Sequence, residues 1–358
     1  MPFIVAIETA FPKFKYTQKE LIEALTKIWE KKVKNTKRLR SIQENVLVEK
    51  RSLSLEIEDY FGELDFTERN KRFLSTALEL LEEATTKVLK SSGVQPKEIS
   101  SLWSNTVTGF AIPSLEARLM NKIAFKANTK RVPILGLGCM AGVAGINRVS
   151  DYLKAYPEEA ALFLSVECCS LTFQAQDISV ANLVSTGLFG DGAAVVLMVG
   201  DKHPLAKSAP LETLACESVF FPETEDVMGW DVGASGLKII LNKNVPDVVK
   251  NNLPRPLNDF IERQGLSLED FKTFFAHPGG PKVLLAMEEV LGLPERGLHH
   301  SWRSLSENGN MSSVSVLDIF KRHMNEYAND KTKLQGSMAM SLAMGPAFSA
   351  ELGILKWN

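Results

Sequence analysis

Residues 132–157, VPILGLGCMAGVAGINRVSDYLKAYP, hold the turn from which the fold can be read. An apolar run ends at Gly136 and Gly138; Cys139 follows, and then a small-residue stretch opens a helix. Glycines let the backbone turn sharply and leave room for a ligand, and a helix N-terminus favours a thiolate. The segment is a nucleophile elbow in outline, with a Cys placed to attack a thioester. A buried Cys filling a gap between strand and helix fits the same letters.

Outward from this turn, strand and helix signals alternate. Apolar runs rich in β-formers lie at 101–107 (SLWSNTV), 130–138 (KRVPILGLG), 160–168 (AALFLSVEC) and 192–200 (GAAVVLMVG), and three of them are preceded by helical segments. Residues 17–34 and 67–91 repeat apolar positions near a period of 3.6, the first behind a capping Thr. A first strand is expected within MPFIVAIETAFPKF, which lacks a basic leader. This alternation predicts a layered α/β fold. A polar stretch with Pro204, Pro210 and Pro222 occupies 200–225, and strand, helix and strand signals resume at 237–242, 245–264 and 271–280. The division into halves is therefore expected near residue 205, giving 1–205 and 206–358.

At 358 residues, 45% hydrophobic and 23% charged, the chain can bury a large core. A net charge of −2 supplies no global field to hold nucleic acid or an anionic membrane. The most apolar stretches, 160–171 and 180–200, are too short or are interrupted by Gly-Asp-Gly, short of the roughly 18 apolar residues a spanning helix needs. Four cysteines, Cys139, Cys168, Cys169 and Cys216, form no C-x-x-C pair and no zinc-like spacing with the five histidines. No metal is expected, and the cysteines read as free thiols in a reducing cytoplasm. His203, His299, His300 and His323 stand in no motif and are expected at the surface or in loops.

Three further segments share the chain with GLGCMAGVAG (136–145): NLVSTGLFGDGAAVV (182–196) with Phe189, FFAHPGGPKV (274–283) with His277, and ENGNMSSVSVLDIF (307–320) with Asn310. Singly, His277 could be a turn residue and Asn310 an N-cap. As an ordered set around a Cys elbow, the four resemble the signature regions of type III polyketide synthases, the chalcone synthase superfamily, over nearly the whole chain. The resemblance implies a thiolase-like five-layered α/β/α/β/α fold of two similar halves and a homodimer. It also implies an acyltransferase without protein-bound cofactor or metal that takes acyl-CoA and malonyl-CoA.

By the same resemblance Cys139, His277 and Asn310 are the catalytic residues. Cys139 would hold the acyl group, and His277 and Asn310 would donate to the oxygen on which decarboxylation of malonyl-CoA leaves negative charge. His277 would also keep Cys139 as thiolate in an ion pair. Phe189 resembles the gatekeeper between cavity and CoA tunnel, while Ile239 stands where plant enzymes carry a second gatekeeping Phe. Val107, Glu167, Cys169, Thr172, Trp230 and Ser312 are the candidate pocket residues, with Glu167 at the cavity floor. Arg38, in the basic run KKVKNTKRLR (31–40), is the candidate contact to CoA phosphate. Ile112 stands where plant enzymes send a Met across the dimer interface.

Ile239, the MGWD segment (228–231) and Ala-Met-Gly-Pro-Ala (343–347) favour an aliphatic starter and an alkylpyrone or alkylresorcinol product. The alternatives are a malonyl-primed maker of phloroglucinol or tetrahydroxynaphthalene, a ketoacyl-synthase III-like condensing enzyme, and a non-catalytic acyl-CoA-binding scaffold.

Overall fold

The computed structural model describes residues 1–30, 32–33, 36–62 and 64–358. Lys31 and Lys34 of the basic run lie outside the described residues. The strands are β1 (Phe3–Ala10), β2 (Phe14–Thr17), β3 (Lys50–Leu53), β4 (Ile99–Asn105), β5 (Lys130–Ile134), β6 (Ala160–Cys168), β7 (Asp191–Val199), β8 (Leu211–Phe220), β9 (Met228–Gly233), β10 (Gly236–Leu241), β11 (Phe271–Ala276), β12 (Met338–Gly345) and β13 (Ser349–Trp357). The α-helices are α1 (Gln18–Trp29), α2 (Thr36–Glu44), α3 (Phe66–Ser92), α4 (Leu115–Leu119), α5 (Ala141–Ala155), α6 (Val180–Leu188), α7 (Val245–Asn252), α8 (Pro254–Arg263), α9 (Pro281–Val290), α10 (His299–Asn308) and α11 (Ser313–Asn329).

Nine strands line up in the order β11-β12-β13-β8-β1-β7-β6-β4-β5, and the two halves of this sheet join through the short β1–β8 pairing Phe3↔Glu212 and Ile4↔Leu211. Strands β6 and β7 are buried on both faces, so they read as continuous apolar runs, and the period of two still sorts their side chains. Leu162, Leu164, Val195 and Leu197 face α3, whose Phe73, Leu80, Leu81 and Val88 form the other wall. Ala161, Phe163, Val196 and Met198 face the opposite way, onto Val143, Ile146 and Val149 of α5 and Val316, Ile319 and Phe320 of α11. Phe275 of β11 and Ala343 of β12 close the same core from the second half, while Phe274, Met340 and Leu352 turn outward to α7, α8, α9 and α10. Helix, half-sheet, central helix pair, half-sheet and helix are the five layers. Each large side chain fully buried in them contributes roughly 1.5–3 kcal/mol.

The central helices touch closely: a Cβ at Gly142 of α5 would lie 2.3 Å from the Ser313 carbonyl oxygen at the start of α11. This contact ties the segment after Cys139 to the segment after Asn310.

Two sequence expectations change. The helix expected over 245–264 is two helices, because Pro254 cannot continue α7 and instead starts α8. The polar stretch 200–225 contains the ten-residue β8, which pairs with β13 from Leu211 to Phe220 and carries the join between halves. No helix among the described residues is long and apolar enough to cross a membrane.

Candidate active site

Strand β5 ends at Ile134, and a tight turn through Gly136 (φ 90°) and Gly138 (φ 54°) delivers Cys139 just ahead of α5. Gly138 is required twice, since a Cβ there would also meet the Pro346 ring at 2.4 Å. Strand β11 ends at Ala276, and His277 follows with its backbone N–H on the Leu342 carbonyl at 3.0 Å. Asn310 sits between α10 and α11. Its own N–H donates to the Leu188 carbonyl at 2.8 Å, and its carbonyl accepts from Gly190 at 3.0 Å, so its loop is zipped to the one carrying Phe189.

These three residues, distant in sequence, line one cavity of ≈ 1060 Å³. Asn310 is held by its side chain as well: Oδ1 accepts from the Ser312 backbone N–H at 2.8 Å, so Nδ2 is left to donate, at 3.4 Å to the Gly279 carbonyl and toward Cys139. Ser312 occupies a strained backbone position, φ 50°, that a non-glycine residue holds only when its surroundings fix it. Its hydroxyl reaches both Cys139 and Glu167. His277 is 2% exposed, and neither ring nitrogen has a hydrogen-bond partner among the described residues. A buried imidazole without partners is costly, and its presence at the cavity wall is explained by a ligand that supplies them.

Burial acts on both Cys139 and His277. Desolvation pushes the Cys139 thiol up to about 12, against hydrogen bonds from Ser312 and Asn310 that pull it down. Desolvation also lowers His277 to about 3. Burial disfavours the charged form of each group taken singly.

Val107, Cys169, Phe189, Trp230, Ile239, Ser312 and Arg38 line the same cavity. The β9–β10 hairpin pairs Trp230 with Ile239, and the Trp230 ring lies 6.2 Å from that of Phe189. Thr172 lines instead a small apolar pocket of ≈ 60 Å³ beyond these three residues. Glu167 is not on the cavity surface. It lies fully buried behind the wall, where Oε2 accepts from Val107 N (3.0 Å), Thr106 Oγ1 (3.2 Å) and Thr108 Oγ1 (2.9 Å), and Oε1 accepts from Ser313 Oγ (2.7 Å). Desolvation outweighs these bonds and raises its pKa.

Two lining residues, Lys243 and Lys282, carried no sequence signal; they are exposed on the cavity rim with Arg38, while Met344 and Pro346 of the Ala-Met-Gly-Pro-Ala segment form its wall. Behind Phe189, Arg51 donates to the Phe189 carbonyl. Asp191 accepts from Ser54 N (2.7 Å), Ser54 Oγ (2.6 Å), Ser170 N (2.8 Å) and Ser170 Oγ. Asp191 could have been suspected from the Gly-Asp-Gly turn; Arg51 could not. The histidines outside the motifs divide: His299 is exposed, but His300 and His323 are buried on α10 and α11, because the hairpin of those helices folds them inward.

The comparisons with known proteins follow the same lines. Residues 21–213 match a family described as FAE1/type III polyketide synthase-like protein, and residues 212–356 match the C-terminal domain of chalcone and stilbene synthases. A 1,3,6,8-tetrahydroxynaphthalene synthase of Streptomyces peucetius is 41% identical, over 99% of this chain and 93% of that one. A phloroglucinol synthase of Pseudomonas fluorescens is 30% identical over 97% of each. The crystal structure of 1,3,6,8-tetrahydroxynaphthalene synthase from Streptomyces coelicolor superposes with a TM-score of 0.92 at 29% identity, over 99% of both chains. With family models covering both halves and relatives matched from end to end, the chain belongs to the type III polyketide synthases of bacterial type, acyltransferases that join acyl units by decarboxylative Claisen condensation.

Proposed function

We propose that the chain is a malonyl-primed synthase that assembles a polyhydroxylated aromatic product on Cys139. The convergence of Cys139, His277 and Asn310 on one cavity supports the chemistry. The starter is supported by relatives named for tetrahydroxynaphthalene and phloroglucinol, the products of the malonyl-primed alternative. The aliphatic starter, suggested by Ile239, MGWD and Ala-Met-Gly-Pro-Ala, has no counterpart in the names of these relatives. Ile239 pairs with Trp230 in the β9–β10 hairpin, the Phe189 ring lies 6.2 Å from that of Trp230, and a pocket of ≈ 60 Å³ adjoins all three.

In this reading malonyl-CoA enters past Arg38, Lys243 and Lys282, whose charges meet the CoA phosphates. The Cys139 sulfur attacks the thioester carbonyl as its proton passes to His277, which returns a proton to the departing CoA thiol. A second malonyl unit loses CO2 beside Phe189, and the enolate oxygen is held by Asn310 Nδ2 and an N–H of His277. The enolate carbon then attacks the Cys139 thioester; the new carbon–carbon bond forms as the carbon–sulfur bond breaks, and the lengthened chain leaves on CoA. Fixed donors suit this step because they need no reorganisation when the charge appears. The active species is a homodimer, supported by Ile112, 96% exposed beside the exposed Phe110.

The test is incubation with malonyl-CoA alone, with products read by mass spectrometry. An aromatic polyketide with no other starter is expected. Condensed products only when a fatty acyl-CoA is added would remove the malonyl-primed reading and restore the aliphatic one.

A further inference from the structure

Three of the five histidines meet at one place, and none of them is among the residues that line the cavity. His299 and His300 open α10, and His323 and Glu326 lie one turn apart on α11. Their ligand atoms all fall within 4.8 Å of one another. Glu326 Oε2 stands at the centre, 3.0 Å from His300 Nε2, 3.8 Å from His299 Nε2 and 3.9 Å from His323 Nδ1. The His300 and His323 rings meet edge to face at 4.3 Å, and Phe275 packs against His323 at 5.2 Å, so the two inner ligands are fixed by the core.

We propose that His299, His300, His323 and Glu326 form a structural zinc site that clamps the start of α10 to α11. Three imidazole nitrogens and one carboxylate oxygen are a borderline-soft, four-ligand donor set that suits Zn²⁺ and has too few oxygens for Mg²⁺ or Ca²⁺. His300 Nδ1 has no hydrogen-bond partner among the described residues. The neighbouring cation does not oppose a metal at full strength, because Arg322 is engaged by Asp318 at 2.8 Å and Glu307 at 2.9 Å. His299 and Glu326 are exposed, so they can rotate to close the set to the roughly 3.3 Å ligand spacing of a tetrahedral zinc shell.

The site is not catalytic. Helix α10 runs from it to Asn308, about 15 Å at 1.5 Å per residue, and Asn310 follows at the other end. A metal there fixes the far end of the helical hairpin whose near end presents Asn310 and Ser312. The sequence concealed the set because its ligands come in pairs from two helices, with no Cys and no short repeat between the pairs.

The experiment uses the untagged full-length chain, stripped with chelator and titrated with Zn²⁺ alone by calorimetry. Expected are one equivalent bound, a raised Tm, and amide exchange slowed in α10 and α11. Glu326→Gln and His299→Asn, both at exposed positions that leave the core intact, are each expected to weaken binding by at least about tenfold. With Co²⁺ in place of Zn²⁺, the d–d absorption of a tetrahedral nitrogen and oxygen shell is expected. Absence of saturable binding, binding unchanged in both variants, or a sulfur-to-cobalt charge-transfer band placing the metal on a cysteine would each overturn the site. None of these readouts depends on condensing activity, so their failure leaves the proposed reaction standing.

Discussion

Two kinds of buried polar group stand within one wall of each other in this enzyme. Glu167 and Asp191 each collect four hydrogen bonds from neighbouring hydroxyls and backbone amides. Across the wall, neither ring nitrogen of His277 has a partner among the described residues, and desolvation raises the pKa of the partly exposed Cys139 thiol. The satisfied groups are scaffold: they fix the positions of Val107, Ser313 and the Phe189 turn at no unmet polar cost. The unsatisfied groups face the space where a substrate completes them. The difference separates residues that define the site's shape from those that act in it, and it is open to test from both sides.

The largest effect is expected at Cys139. Cys139→Ala should abolish condensation and leave the unfolding midpoint in denaturant close to wild type, because the thiol leaves no buried group unpaired. Residual turnover near the wild-type rate would move the acyl group elsewhere. Asp191→Ala should do the reverse. It leaves four donors without an acceptor and removes the charge that offsets buried Arg51, costing roughly 3–5 kcal/mol of stability in urea unfolding. A loss under about 1 kcal/mol would mean that the scaffold assignment is wrong. Asn310→Ala follows, with kcat expected to fall by roughly 10²–10³, the usual cost of one donor to a developing oxyanion. A rise in KM with kcat unchanged would make Asn310 a binding residue instead.

Much of this was legible in the letters, for definable reasons. Helix α3 is long and amphipathic, and β6 and β7 are unbroken apolar runs, so their patterns survive any tertiary context. Cys139, His277 and Asn310 each follow or precede glycine turns that force a recognisable local sequence. Strand β8 was hidden because only Leu211 and Thr213 of it are buried and its mix of Glu, Thr, Cys and Ser resembles a linker. Glu167 was placed at the cavity floor because a motif records which residue is present and not which side of the wall it faces.

The smallest predicted effect tests the link between the two groups, which runs through Ser312. The Ser312 hydroxyl reaches both Glu167 and Cys139, and the Glu167 charge adds to the forces that raise the thiol. In Glu167→Gln the amide oxygen can take the three donors on the Oε2 side, and the amide nitrogen can donate to the Ser313 and Ser312 oxygens. The substitution should therefore cost no more than about 1 kcal/mol of stability. Two changes then act on Cys139 in the same direction: the negative charge is gone, and the Ser312 proton is freed to point at sulfur. Both favour the thiolate, so the thiol pKa should fall from about 12, and alkylation of Cys139 by iodoacetamide should be faster at each alkaline pH, with the rate profile displaced to lower pH. Cys168 and Cys169 are fully or almost fully buried and should remain unlabelled, while Cys216, partly exposed and bonded to Asp151, should label equally in both proteins. A Cys139 profile that does not move would show that Ser312 does not transmit the state of the scaffold to the nucleophile, and that the wall between the two groups is electrostatic insulation as well as structure.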